Sequence, residues 1–191
     1  QPSLFRLAFD GNDRGGLFLE RGFKVMNRDD VSWEIKPQYF LQRAISGNGD
    51  WLGSSVWGLD TKFNAVLDSR TDLVARTSIF GFDADKFEDN IKANVTLARK
   101  LGDLNRPYDL KLEYGYRERL FNGSLGFQRV SSRFGAQIDS PDISIADTGI
   151  RLKFLGSIQN ITAETDRKKL LSLKRSNDRT NLTRYLVSAT L

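Results

Sequence analysis

The 191-residue sequence contains no cysteine and no histidine. Without cysteine it has no disulfide framework and no thiolate metal site. Without histidine it lacks the Ser-His and Cys-His pairs of nucleophilic catalysis and the imidazole ligands of common zinc and iron sites. The composition therefore favours a protein that is not an enzyme and that carries no metal and no cofactor.

Long hydrophobic runs and blocks of like charge are missing as well. No apolar run approaches the roughly 18 residues that a transmembrane helix needs, and no segment has convincing helical periodicity. The 29 basic and 24 acidic residues are spread along the chain and leave a net charge of +5. Because nucleic-acid binding relies on clustered cations, this distribution predicts no nucleic-acid partner.

What the sequence does have is regular alternation, most clearly from Val31 to Gln42. Large apolar residues, with Trp33 and Ile35 among them, alternate with polar ones, and only Pro37 and Phe40 fall out of step. A period of two predicts a strand with one apolar face and one polar face. The run is longer than the usual strand of about 5–6 residues and matches the 9–11 or so of a bilayer-spanning strand.

About ten segments follow this pattern, separated by turn residues at intervals of about 15–20. The predicted strands are residues 4–9, 17–26, 31–42, 57–67, 73–82, 91–97, 110–117, 125–138, 149–162 and 182–191. Residues 46–50, 83–90, 102–109 and 164–180 are predicted loops, and Asn122-Gly123 favours a tight hairpin turn. We predict one domain over residues 1–191: all-β, with antiparallel up-and-down strands forming an outer-membrane β-barrel or a segment of one. Because residue 191 falls inside a strand, we expect the native barrel to continue beyond it.

Three observations favour a membrane barrel over a soluble β-sandwich, which would also alternate. The first is the length of the alternating runs. The polar face carries full charges, and the apolar face has aromatic residues near strand ends, as interfacial girdles do. The charged residues are Glu34, Lys36, Asp60, Lys62, Lys111, Glu113, Arg117, Arg151 and Lys153; the aromatic ones are Trp33, Tyr39, Trp57, Tyr114 and Tyr116.

Three segments resemble a known family: Tyr114–Gly126, Asp13–Arg21 and Pro37–Ala44. With them the chain resembles the lipopolysaccharide-assembly outer-membrane proteins (the organic-solvent-tolerance barrel), in particular their cyanobacterial branch. The resemblance implies an outer-membrane β-barrel that helps deliver lipopolysaccharide or a related glycolipid to the outer leaflet. It also implies contact with membrane lipid, periplasmic lipid-bridge proteins and a plug lipoprotein. The family's periplasmic jellyroll and crosslinking cysteines have no counterpart here, which limits the likeness to the barrel.

In such a barrel, charges on the polar face would line a water-filled interior. Lys111, Arg117, Arg151 and Lys153 are then candidates to contact phosphate or carboxylate groups of the glycolipid. The alternative is that these cations pair with Glu113 and Asp60 across the sheet.

Two other functions stay open from the sequence. A soluble β-sandwich module could bind carbohydrate through Trp33, Trp51 or Trp57. A β-jelly-roll glycosidase needs two carboxylates about 5–9.5 Å apart, for which Glu34, Glu113 and Glu118 are available.

Overall fold

The computed structural model describes residues 5–11, 13–46, 51–121, 127–163 and 180–190. Twelve β-strands dominate this part of the chain. They are β1 (Arg6–Asp10), β2 (Gly16–Glu20), β3 (Phe23–Asn27), β4 (Val31–Phe40), β5 (Trp57–Asp68), β6 (Thr71–Ile79), β7 (Ile91–Leu101), β8 (Tyr108–Phe121), β9 (Phe127–Asp139), β10 (Ile143–Ser144), β11 (Arg151–Ala163) and β12 (Thr180–Thr190).

The strands follow one another in the sheet much as they do in sequence. The order is β1-β2-β4-β5-β6-β7-β8-β9-β11-β10, with β3 beside β4 and β12 beside β11. The ladders are antiparallel, which confirms the predicted all-β, up-and-down class. Between the two ends of this order, no ladder joins residues that the structure describes.

Short helices account for part of what the strand prediction missed. The alternation of residues 31–42 predicts one strand, but β4 ends at Phe40 and α1 (Leu41–Ser46) begins there. The predicted loop 83–90 contains a 3₁₀ turn (Ala84–Lys86) and α2 (Phe87–Asn90). Other 3₁₀ turns cover Ser54–Val56 and Ala146–Thr148. None of the described helices has the length and apolarity needed to cross a bilayer.

The predicted strand 17–26 is interrupted in the middle. Its two halves, β2 and β3, both pair with β4, and the break at Arg21 and Gly22 lies opposite the stretch of β4 that contains Pro37. Proline has no N–H to donate, so the ladder loses a bond there. The Arg21 N–H still donates to the Pro37 carbonyl at 3.3 Å.

Three predicted features lie outside the described residues: the Asn122-Gly123 hairpin, most of the loop 46–50 and almost all of the loop 164–180.

The structure divides into two compact units, Gln1–Ala65 with Val74–Ala93, and Val66–Leu73 with Asn94–Leu191. We refer to them as the first and second units. The expectation of a single domain stays a prediction.

The first unit has a small aromatic core at one end of β4. Phe40, one of the two residues that break the alternation, is fully buried and packs edge-on against Phe18 with the ring centres 6.3 Å apart. Ala44 of α1 and Val56, which belong to the same unit, are buried as well. Position 58 has no room for a side chain, because a Cβ there would lie 2.4 Å from the Phe40 ring. The break in the pattern at Phe40 therefore marks the core.

The second unit has few buried apolar side chains in its described part. Val130 and Ile161 are buried, but so are Arg117, Ser131 and Arg133. Its ladders join β8 to β9, β9 to β11 and β11 to β12 over most of their lengths. These long ladders, more than a hydrophobic core, hold the unit together.

Candidate functional site

The ladders of the second unit place the predicted cations relative to one another. Lys111 stands opposite Gln137, and Gln137 stands opposite Ser157. Because opposite residues share a face and alternate residues of a strand do too, Lys111, Arg151 and Lys153 lie on the same face of the sheet. We call this the charged face.

The four predicted cations do not form one cluster. Arg117 lies near the end of the ladder that reaches Thr162 of β11, whereas Arg151 is the first residue of that strand. Eleven residues of extended chain separate Thr162 from Arg151, or about 35 Å. No single phosphate group can therefore contact both Arg117 and Arg151.

The surroundings of the four cations also differ. Lys111 forms an ion pair with Glu113, and Arg117 is only 6% exposed and has interactions of its own. Arg151 and Lys153 are exposed and form no ion pair or hydrogen bond within the described part of the chain. Of the predicted set, these two are the cations available to a ligand.

A buried cation that the sequence analysis did not select, Arg133, organises the charged face. Its Nη1 lies 2.6 Å from Glu113 Oε2, and its Nε lies 3.0 Å from Glu118 Oε2. The Asn94 amide donates to Glu118 Oε1 at 2.7 Å, which satisfies the second oxygen. The alternation of Phe134, Ala136 and Ile138 already put Arg133 on the polar face, and this was the signal that could have identified it.

Glu118 reaches Arg133 because the backbone breaks its alternation. Glu113 and Glu118 are five residues apart, so a regular strand would place them on opposite faces. Between them Arg117 adopts a left-handed conformation with φ 54°. The irregularity turns Glu118 toward the charged face, and both carboxylates bind the same guanidinium. Two of the three carboxylates that suit a glycosidase thus belong to a structural ion-pair network.

The first unit contains a polar pocket of about 380 Å³. Apart from Thr61, its lining residues on β4, β5 and β6 lie on the polar face of these strands, and Arg14 reaches in from the segment before β2. It is lined by Arg14, Glu34, Lys36, Asp60, Thr61, Lys62, Arg76 and Ser78. Four of these residues, Glu34, Lys36, Asp60 and Lys62, are among the charges that the sequence placed on a polar face.

Both pocket carboxylates already have partners. Glu34 Oε2 lies 3.6 Å from Lys36 Nζ. Asp60 Oδ1 accepts a hydrogen bond from the Ser78 hydroxyl and lies 4.0 Å from Arg14 Nη2. Lys62 and Arg76 form no ion pair or hydrogen bond with any residue that the structure describes. Four cations against two carboxylates leave the pocket lining with a net charge of +2.

Arg14 is held firmly at the edge of this pocket. Its Nε donates to Gln38 Oε1 at 3.0 Å, and its Nη1 lies 2.8 Å from Asp10 Oδ2. Its guanidinium also lies 5.0 Å from the ring centres of both Phe18 and Phe80. These contacts fix its position without a ligand.

The opposite face of β4 and β5 carries an aromatic group. The Tyr39 ring packs edge-on against Trp57 at 4.8 Å and stacks with Trp51 at 6.5 Å between ring centres. The Tyr39 hydroxyl donates to the Trp51 carbonyl at 3.0 Å. Trp51 and Trp57 are 50% and 43% exposed, so the group presents an aromatic surface to its surroundings.

Comparisons with known proteins give a family but no activity. A family model described as "Protein of unknown function (DUF3769)" matches residues 1–191. No curated protein and no solved structure matches the chain. Within the described residues, no group of three or more acidic side chains could hold a metal ion.

Proposed function

Since the chain belongs to the DUF3769 family, for which no function is known, we propose a function from the geometry of its own sheet. We propose that the chain is a segment of an outer-membrane β-barrel wall and that it helps deliver lipopolysaccharide or a related glycolipid to the outer leaflet. Its partners in this role are membrane lipid, the glycolipid, and the periplasmic bridge and plug proteins that the sequence resemblance implies. The role is not catalytic.

The observation that carries the proposal is an inverted exposure pattern in the second unit. Arg133 is 8% exposed, whereas its neighbour Phe134, on the other face, is 57% exposed. The outward face of the same ladders also leaves other large apolar side chains at least two-fifths exposed: Tyr114, Ile138, Phe154, Ile158, Tyr185 and Val187. In water this arrangement forgoes about 25 cal/mol for each Å² of apolar surface left exposed. Against hydrocarbon the same surface is favourable.

The first unit repeats the inversion. Gln38, with its side chain toward the pocket side, is 2% exposed, whereas Trp33 and Trp57 on the other face are 39% and 43% exposed. Tyr39 and Trp57 lie where β4 ends and β5 begins, as residues of an interfacial girdle do. Strand lengths are compatible with a bilayer, since β4, β5 and β7 have 10, 12 and 11 residues.

The glycolipid part of the proposal depends on the charged face and on the sequence resemblance. A polar sugar head group would move along the charged face, while its acyl chains stay in contact with lipid. Arg151 and Lys153 are exposed and unpaired among the described residues, so they can contact phosphate or carboxylate groups.

A labelling experiment tests the membrane part. The chain has no cysteine, so single cysteines can be introduced one at a time without a background of other thiols. Spin labels at positions 110–116 and 132–138 would be measured in lipid vesicles. We expect oxygen accessibility to peak at even positions and accessibility to a water-soluble nickel complex to peak at odd positions. Equal accessibility at both sets, or a protein that stays in solution without detergent, would contradict the proposal.

A charge reversal tests the delivery part. We expect the double substitution Arg151→Glu and Lys153→Glu to reduce glycolipid at the cell surface while the protein still inserts into the membrane. The matched control is Lys100→Glu with Arg106→Glu, two exposed cations elsewhere on the chain. Normal surface glycolipid in the first double variant would remove these residues from the delivery role.

The aromatic group of the first unit favours one alternative, a soluble module that binds carbohydrate. Exposed, fixed rings such as Trp51 and Trp57 suit the apolar face of a sugar. This alternative predicts a protein that is soluble without detergent and that loses sugar binding on Trp57→Ala. The labelling experiment separates the two functions, because in a soluble module the accessibility to oxygen and to the nickel complex would peak at the same positions.

A further inference from the structure

We infer that the polar pocket of the first unit is a binding site for a phosphomonoester, the phosphate contacting Lys62 and Arg76. This site is separate from the cations of the second unit, and the inference does not depend on the proposed function. A phosphate can bind the pocket whether or not the sheet lies in a membrane.

The ion pairs inside the pocket leave two cations without a partner among the described residues. Glu34 takes Lys36 as its partner and Asp60 takes Ser78 and Arg14, so the carboxylates are committed to groups already present. Lys62 stands opposite Glu34 in the register but makes no ion pair with it. Arg14 is shared between Asp60 and Asp10, so the excess positive charge lies on Lys62 and Arg76, and a phosphomonoester anion would neutralise it.

The two cations, Lys62 and Arg76, have side chains that suit phosphate. An arginine guanidinium presents a planar fork that binds two phosphate oxygens at once, and a lysine ammonium adds a compact charge with three donors. Hydrogen bonds in which the donor and the acceptor are charged are stronger than hydrogen bonds between neutral groups. Lys62 and Arg76 together therefore favour a phosphate over a ligand with a single carboxylate.

The size and the lining of the pocket suit a small polar ligand. A volume of about 380 Å³ lies within the range of small-molecule pockets and leaves room for more than a bare phosphate. None of the lining residues is aliphatic or aromatic, so the pocket offers nothing to an acyl chain. Thr61 and Ser78 already use their hydroxyls, because Thr61 bonds Trp33 and the Glu34 carbonyl, and Ser78 bonds Asp60. The group attached to the phosphate is thus a small polar one or lies outside the pocket.

The test measures phosphate binding by the full chain in a neutral maltoside detergent, by calorimetry and phosphorus NMR. Glucose 1-phosphate represents a soluble source, and phosphatidic acid in mixed micelles represents a lipid head group. Glucose and phosphatidylcholine are the controls that lack a phosphomonoester. We expect at least one of the two phosphomonoesters to bind at millimolar concentration or better, and the one that binds identifies the source.

We expect Lys62→Gln with Arg76→Gln to weaken that binding at least about tenfold, because two charge-assisted contacts are lost. Lys62→Arg with Arg76→Lys keeps both charges and retains part of the affinity, whereas Lys100→Gln with Arg106→Gln leaves it unchanged. Circular dichroism of each variant checks that the sheet is intact. Two results would overturn the inference: neither phosphomonoester binds the natural chain, or the folded Lys62/Arg76 double variant binds as well as the natural chain does.

Discussion

Arg133 of β9 binds two carboxylates of β8. The next residue of β9, Phe134, lies on the other face of the sheet. Its side chain is 9% exposed, and those of Glu113 and Glu118 are 19% and 21% exposed. Taking charges out of water is costly, so the three groups depend on each other. The network specifies how β8 and β9 pair, because only one register brings both carboxylates to the guanidinium.

We expect Arg133→Met to destabilise the fold by about 3–5 kcal/mol, since it leaves the shielded Glu118 without a cation and leaves Glu113 with Lys111 alone. The measurement is the urea midpoint in neutral detergent. The control is Arg6→Met, which removes an exposed ion pair with Glu20 in which the arginine side chain is 73% exposed. That change should cost less than about 1 kcal/mol. Equal effects of the two substitutions would show that the network adds no stability.

Gly58 is required by a close approach of side chain and backbone. A Cβ at this position would lie 2.4 Å from Phe40 Cζ and 2.7 Å from the Ile79 carbonyl oxygen. Because the carbonyl belongs to the backbone, it cannot move aside cheaply, and we expect Gly58→Ala to cost about 1–3 kcal/mol. Gly156→Ala is the control, since a Cβ there meets Ile138 at an ordinary 3.6 Å. A smaller loss at position 58 than at 156, by urea unfolding, would contradict this packing.

The turn between β5 and β6 carries a pH-sensitive carboxylate. The backbone N–H of Arg70 donates to Asp68 Oδ1 at 2.7 Å, and with the Thr71 hydroxyl it holds the pKa of Asp68 below its ordinary 3.8. A lowered pKa means that the stabilisation is complete above the ordinary value and is lost as the pH falls through the folded value. We expect the Arg70 amide to lose hydrogen-exchange protection in that range. In Asp68→Ala the protection should be low and independent of pH; an unchanged acid profile would exclude this turn as the cause.

At the scale of elements, the sequence identified the strands and failed where tertiary contacts override alternation. Trp33 to Tyr39 alternate because they lie in a two-faced sheet, and β4 follows that pattern. The same pattern continues into Leu41 and Gln42, which are helical because Arg43 and Ala44 dock there. Nothing local marks that change, just as nothing local marks the left-handed backbone at Arg117.

The candidate site was predictable to a similar degree. Period-two alternation placed Glu34, Lys36, Asp60 and Lys62 on one face, and the structure brings those four to one pocket. Arg14 and Arg76 could not be assigned to that pocket, because their places depend on strand order and on the path of the chain before β2. The spread of Lys111, Arg117, Arg151 and Lys153 was hidden for the same reason, since faces follow from a single strand and distances follow from register.

The helix α1 is attached to the first unit by Arg43. Its guanidinium donates to the carbonyls of Ser55, Phe80 and Asp13 and lies 4.5 Å from the centre of the Phe40 ring. Burial lowers the pKa of Arg43 from its ordinary value, although the residue stays charged at neutral pH.

We expect Arg43→Met to destabilise the first unit by about 3 kcal/mol, because three carbonyl acceptors lose their charged donor. Arg43→Lys should restore only part of the loss, since one ammonium cannot copy the planar fork. Gln42→Met on the same helix is exposed and serves as the control. Urea unfolding measures all three; full rescue by lysine would mean that charge alone, without the fork, holds the helix.

At the scale of the whole molecule, the surroundings of the sheet decide what its exposed aromatic residues mean. Phe134 lies near the middle of β9 and is more than half exposed. In water a lysine there would change stability by no more than about 0.5 kcal/mol. At the middle of a bilayer it would cost about 2–4 kcal/mol.

We therefore expect Phe134→Lys to destabilise the protein folded in lipid vesicles by about 2–4 kcal/mol. Ser157→Lys, on the charged face, is the control and should have a much smaller effect. Folding is followed by tryptophan fluorescence during urea titration. If both lysines prove equally harmless, the outward face does not contact hydrocarbon.

The backbone at Arg117 has one more consequence. Its φ of 54° costs an L-amino acid roughly 1–2 kcal/mol and costs glycine almost nothing. The smallest residue would suit this bend best, yet the position holds one of the largest, buried and engaged with other groups. The contacts of the buried side chain therefore act against this backbone cost and help to fix the shape of the strand here.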